Sequence, residues 1–168
     1  VTSTSAWYNY EKGVRDFCGN ILPDGLKKNQ KFDKPILTPS TKAAHGDHDE
    51  SVSRDQILER TDLTLEQYDK IADASLKLYQ RGVEIAAKQG IILVDTKYEF
   101  GLTDDGQVML IDEVHTPDSS RFWRSNFYQQ FFDEGKEPEN FDKEFVRLAY
   151  AEKGYRGDGE IPSMPDEL

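Results

Sequence analysis

Apolar and polar positions change their period along this chain, and each change predicts an element. Ser53 with Gln56 and Thr64 with Gln67 have capping-box spacing, which predicts a short helix to about Arg60 and a longer one behind Thr64. In the longer one Tyr68, Ile71, Ala72, Ser75, Tyr79, Val83 and Ala86 recur at helical spacing, with Gly90 as the stop. From Ile91 the period falls to two. Ile92, Val94, Thr96, Tyr98 and Phe100 share one face of a strand, and Leu93, Asp95, Lys97 and Glu99 the other. Thr103-Asp104-Asp105-Gly106 turns the chain, and Gln107 to Val114 returns as a second strand. A polar loop from Thr116 to Arg121 then leads into an aromatic helix (Trp123, Phe127, Phe131). A last helix runs from about Phe141 to Glu152.

Residues 1–50 read as extended and loop-rich, with Trp7, Tyr8 and Tyr10 among small and polar residues. Thr38 to Lys42 and His45 to Glu50 form a long polar loop, and its density of charges and hydroxyls favours a functional reading over disorder.

Composition narrows the classes. Among 168 residues, 32 acids against 21 bases give a formal charge of −11, without the basic face that a nucleic-acid binder needs. Lysines 27, 28, 31 and 34 are interrupted by Asp24 and Asp33 and read as a solvated loop. Aromatic residues at 11% exclude a disordered acidic tail, and no apolar run reaches the roughly 20 residues of a membrane span. A single cysteine, Cys18, permits no internal disulfide and makes a reducing compartment the default, here the cytoplasm. Three histidines and one cysteine without tight spacing argue against structural zinc, so any metal falls to carboxylates and to magnesium-type chemistry.

The candidate chemistry lies on the hairpin. With Asp105-Gly106 as a two-residue type I′ turn, Asp104 pairs with Gln107 and Glu99 comes to face Asp112. Facing side chains have Cβ atoms roughly 4.5–5.5 Å apart, so the two carboxylates repel unless a cation lies between them. Lys97 offers one positive charge, and Mg²⁺ offers more. The plainer alternative is a solvated polar face. The loop that follows supplies Asp118, Ser119, Ser120 and Arg121, and the arginine can grip a phosphate or carboxylate with two parallel bonds.

Two blocks carry a resemblance. Leu93-Val94-Asp95-Thr96-Lys97-Tyr98-Glu99-Phe100-Gly101 resembles the signature of the SAICAR synthetase (phosphoribosylaminoimidazole-succinocarboxamide synthase) family. Asp112-Glu113-Val114-His115-Thr116-Pro117-Asp118-Ser119-Ser120-Arg121-Phe122-Trp123 resembles its second strong block. Thr38 to Ala43, the His48-Asp49 loop and Phe141 to Arg147 are also similar to it, so the likeness runs in order along the chain. The resemblance implies a ligase of purine biosynthesis that joins carboxyaminoimidazole ribotide to L-aspartate with ATP and Mg²⁺. It implies that Glu99 and Asp112 are the magnesium-binding acids, and that Lys97 lies between the nucleotide phosphates and the ribotide. Asp118, Ser119, Ser120 and Arg121 match the ribotide loop. Ser5 matches a serine that contacts the ribotide phosphate, although Thr4 stands where a glycine usually precedes it. Lys42, His48 and Asp49 match a loop near the substrate site.

By the same resemblance the fold is α+β, an antiparallel sheet flanked by helices, akin to the larger lobe of protein kinases. The chain is expected to be one lobe over residues 1–168, the C-terminal two-thirds of the enzyme. The ATP-covering N-terminal lobe is expected to be absent, and the fragment alone inactive. Two other readings stay open. A kinase-like phosphotransferase would use the same hairpin, and a truncated ligand-binding module would bind without turnover.

Overall fold

The computed structural model describes residues 5–42, 49–155 and 159–163. The chain divides into two compact units, residues 1–80 with 100–111, and residues 81–99 with 112–168.

In the first unit, Ser5–Glu11 is a helix, α1, where the sequence pattern reads as extended. Its periodicity is legible in retrospect. Ala6, Trp7 and Tyr10 are buried together at helical spacing and pack with Phe17 and Leu22. The Tyr10 hydroxyl donates to the Pro23 carbonyl at 3.0 Å and accepts the Leu26 N–H at 2.9 Å, which satisfies both polar functions of a buried ring. Behind α1, the two-residue strands β1 (Asp16–Phe17) and β2 (Asn20–Ile21) pair antiparallel. Cys18 lies in the turn between them, and burial pushes its thiol up to about 11. Further along, Thr41 N–H bonds the Glu50 carbonyl and Val52 N–H that of Pro39, so the chain returns on itself across residues 39–52. Val52 is fully buried there.

The helices after Ser53 follow the sequence closely. Helix α2 spans Arg54–Arg60, with both bonds of the Ser53–Gln56 capping box present. Helix α3 spans Leu65–Ala87, and Thr64 and Gln67 make the second reciprocal pair at 2.9 and 3.2 Å. Gly90 takes a φ of +69° in the turn that ends it, the left-handed conformation a side chain would oppose.

The expected continuous strand beyond Gly90 is two strands, β3 (Ile91–Thr96) and β4 (Glu99–Leu102). In the second unit β3 pairs antiparallel with β6 (Ser120–Arg124), a segment expected as loop and helix start. Its pattern explains the difference: Ser120 and Trp123 are buried, and Trp123 needs a partner strand rather than a helix neighbour to cover it. The aromatic helix therefore starts later, as α4 (Tyr128–Glu134), and Trp123 stacks on Tyr128 at 5.7 Å. The last helix, α5 (Glu144–Glu152), begins after a buried Asp142 whose carboxylate accepts the N–H groups of Phe122 and Glu144 at 2.7 and 2.8 Å. Helices and antiparallel ladders thus make an α+β chain, although among the described residues the strands form three two-stranded ladders rather than one sheet. Among the described residues, no helix is long and apolar enough to cross a membrane.

Leu93, at 2% exposure, is the buried centre of the β3–β6 ladder. Leu93→Ala should therefore cost roughly 2–5 kcal/mol of stability by removing buried contacts and leaving a cavity. Urea unfolding checks this; a loss within a few tenths would show that the ladder is not a cooperative part of the fold.

Candidate functional site

The β3–β6 ladder brings the two sequence blocks together. Ile91, Ile92 and Leu93 face Arg124, Trp123 and Phe122. The register then shifts at Val94, so that Asp95 faces Arg121 and Thr96 faces Ser120. A bulge of this kind re-aims the residues that follow it. Here it aligns an acid with an arginine and two hydroxyls with each other. Arg121 Nη1 donates to Asp95 Oδ2 at 2.7 Å, and Thr96 Oγ1 lies 2.8 Å from Ser120 Oγ. One residue on, Lys97 N–H donates to the Ser119 carbonyl at 2.9 Å.

Arg121 is therefore less available than the sequence suggests. Its Nε also faces Glu144 Oε2 at 3.6 Å from α5, and only about a fifth of its side chain is exposed. The guanidinium is thus flanked by two carboxylates, one from the facing strand and one from α5. Asp95 carries the cost of this arrangement. Burial raises its pKa, and the attraction of Arg121 offsets that only in part. Sequence spacing puts Asp95 on the strand face with Lys97 and Glu99 but does not pair it with Arg121, and it does not mark Glu144. An acid that directly follows the apolar run Ile91–Val94 was the available signal.

Elsewhere in the loop, Ser120 is buried at 3% exposure, while Ser119 closes a turn with Thr116. Asp118 pairs with Lys143 Nζ at 3.0 Å. The loop is thus pre-shaped from within, with Ser119 linked to Ser120 by a 3.3 Å contact between hydroxyls.

The hairpin corrects the expected turn. Gly106 N–H bonds the Thr103 carbonyl at 2.8 Å, and Thr103 N–H bonds the Gln107 carbonyl at 2.9 Å. Gly106 takes a φ of +78°, so three residues, not two, separate the bonded pair. Thr103 replaces Asp104 opposite Gln107, because its hydroxyl caps the turn by accepting Gln107 N–H at 3.0 Å. Continued along a regular ladder, this register sets Ile111 rather than Asp112 across from Glu99. What the two acids share is the hairpin's open end: Glu99 is the first residue of β4, and Asp112 the last of β5 (Val108–Asp112).

Lys97 Nζ lies 2.9 Å from Glu99 Oε1, an ammonium already seated on that carboxylate. Asp112 is exposed, and its Oδ1 accepts the Glu113 N–H at 2.8 Å. Among the described residues no group of three or more acids, histidines or cysteines could hold a metal. Glu99 and Asp112 are oxygen donors of the type Mg²⁺ takes, an ion that keeps waters and takes substrate phosphates for its other ligands.

Ser5 opens α1 in the first unit, which also holds Lys42 and Asp49. His48 lies outside the described residues. The second unit alone therefore assembles Lys97, Glu99, Asp112 and Asp118 to Arg121.

The α+β chain is similar to solved structures of one class, the SAICAR synthases. A SAICAR synthase from Saccharomyces cerevisiae, complexed with SAICAR, superposes with a TM-score of 0.76 at 34% identity, over 98% of this chain and 51% of that one. A SAICAR synthetase in complex with ADP gives 0.59 at 29% identity, over 82% and 57%. The model of the family described as SAICAR synthetase matches residues 5–162, and the chain belongs to that family. A phosphoribosylaminoimidazole-succinocarboxamide synthase of Vigna aconitifolia, described as chloroplastic, is 51% identical over 99% of this chain and 49% of its own length. One from Legionella pneumophila (strain Paris) is 50% identical over 99% and 53%. The chain spans about half the length of these relatives, rather than the two-thirds expected.

The raised pKa of Asp95 sets a pH dependence. The native state holds its proton to higher pH than the unfolded chain, whose Asp titrates at about 3.9, so this residue's contribution to stability falls as pH rises through that window. Asp95→Asn should gain on the wild type in melting temperature as the pH rises above about 4. A difference that shrinks with rising pH would overturn the assignment.

Proposed function

We propose that the protein containing this chain is an ATP-dependent ligase that joins L-aspartate to carboxyaminoimidazole ribotide, forming SAICAR in purine biosynthesis. The observation that carries the reading is the pairing of the two family blocks. The strand leading to Lys97 and Glu99 is bonded, residue against residue, to the strand that begins at Ser120 and Arg121. Support also comes from the relatives, one solved with SAICAR and another with ADP. One cysteine and no membrane-crossing helix among the described residues suit a cytoplasmic setting, although the Vigna relative is described as chloroplastic.

A carboxylate does not form an amide directly at neutral pH, because oxide is a poor leaving group. ATP supplies a better one. The ribotide carboxylate attacks the γ-phosphate and displaces ADP, and the aspartate amine then displaces phosphate from the resulting acyl phosphate. Such chemistry is carried by positioning and charge neutralisation more than by a protein nucleophile. Magnesium held by Glu99 and Asp112 would offset phosphate charge. Lys97 adds a mobile positive charge, since its ammonium can leave Glu99 for a phosphate. Asp118, Ser119 and Ser120 shape the ribotide loop, and Arg121 would turn its guanidinium to an anionic group of the ribotide. Ser5, Lys42, His48 and Asp49 are assigned to the substrate side on family resemblance.

In the full-length protein, Asp112→Asn removes one charge while keeping shape. Turnover should fall by about a hundredfold or more, as when a charge-stabilising group is lost from a transferring phosphoryl. The Mg²⁺-dependent rise in melting temperature should also disappear. Near-wild-type kinetics would mean that Asp112 is only solvated.

Arg121→Lys keeps the charge but loses the planar fork. The KM for ribotide should rise markedly while that for ATP changes little. Equal changes in both constants, together with a lower melting temperature, would make Arg121 a structural partner of Asp95 and Glu144 alone.

A further inference from the structure

We propose that Tyr98 and His115 are positioning residues that fix the open end of the hairpin, and with it the relation of Glu99 to Asp112. The Tyr98 hydroxyl lies 2.6 Å from His115 Nε2, and the two rings meet edge to face at 5.6 Å. Tyr98 immediately precedes Glu99, and His115 follows Asp112 by three residues. The bond therefore closes the hairpin beyond its strands, one position before Glu99 and three after Asp112, where the ladder itself no longer constrains the chain.

Two further observations show that the ring is seated. The backbone turns sharply after Asp112: Glu113 and His115 take φ values of +67° and +53°, a region most side chains avoid. That turn delivers the imidazole onto Gly82 of α3. A Cβ built at Gly82 would overlap His115 Cε1, and would lie 2.7 Å from Leu93 Cδ2. A helix interior gives up stability by carrying glycine, so the bare position has a packing reason. The ring is thus held by the helix on one side and by the Tyr98 hydroxyl on the other. Burial keeps the imidazole toward its neutral form, which suits a hydroxyl partner.

This inference rests on the reading of Glu99 and Asp112 as cation-binding acids, and the experiment separates the two. Mn²⁺ binding to the full-length protein, with ADP present, is followed by electron paramagnetic resonance; ribotide binding is followed by calorimetry. The wild type should bind Mn²⁺, and Asp112→Asn should not. Tyr98→Phe, which removes only the hydroxyl, should weaken Mn²⁺ about fivefold, the loss of one ordinary hydrogen bond, and leave ribotide affinity unchanged. Gly82→Ala should do the same by displacing a chemically intact ring. His115→Leu should match Tyr98→Phe, whereas His115→Gln, which can place an amide nitrogen near Nε2, should recover most of the loss. Wild-type Mn²⁺ affinity in both Tyr98→Phe and Gly82→Ala overturns the positioning role while leaving the acids in place. An equal loss for Mn²⁺ and ribotide also overturns it, as general loosening. Absence of Mn²⁺ binding in the wild type overturns the acid site and the positioning role together.

Discussion

The antiparallel pairing of β3 with β6, and the one-residue shift within it, is the constraint on which the second unit depends. Without the shift at Val94, Asp95 would not face Arg121 and Thr96 would not meet Ser120. The paired residues of the two family blocks lie more than twenty positions apart in sequence, and the ladder makes them neighbours. Apolar pairs at one end, centred on Leu93 and Trp123, supply the burial; polar pairs at the other end supply specificity. A single short ladder therefore serves as core and as scaffold.

Charge is distributed along that ladder in an unusual order. Arg121 stands between an acid on its facing strand and another on α5, so its positive charge is largely compensated before any ligand arrives. Lys97 is likewise seated on Glu99, but with half of its side chain exposed. The inner cation is held by two carboxylates, and the outer one is half exposed. Exchange of an ammonium for a phosphate costs little at an exposed position, because water compensates each partner as it leaves.

Sequence periodicity was most informative where a helix is long and capped. Both capping boxes and the glycine stop behind α3 stand where spacing predicts them, since local hydrogen bonds decide these features. Strands were harder. The alternation from Ile91 to Phe100 is real, yet it conceals two strands with different partners, because period two reports a face and not a neighbour. Trp123 illustrates the same gap: its aromatic neighbours at helical spacing suggested a helix, whereas its burial is satisfied across a ladder. The turn at Gly106 differed by one residue, and Asp-Gly alone does not distinguish a two-residue turn from one closed by the Thr103 hydroxyl. The acids and the loop were legible as chemistry; their register was not.

Cys18 ends the account on another scale of time. A thiol pushed up to about 11 presents, at neutral pH, only about one thiolate in ten thousand, and alkylating reagents attack the thiolate. While β1 and β2 stay folded, burial disfavours the thiolate; once they open, the acidity of the thiol returns to that of a free cysteine and alkylation speeds up. The chain thus carries a built-in clock for the breathing of its first unit, read by mass rather than by light. Because cysteine occurs once, every labelled molecule reports an opening at the same place.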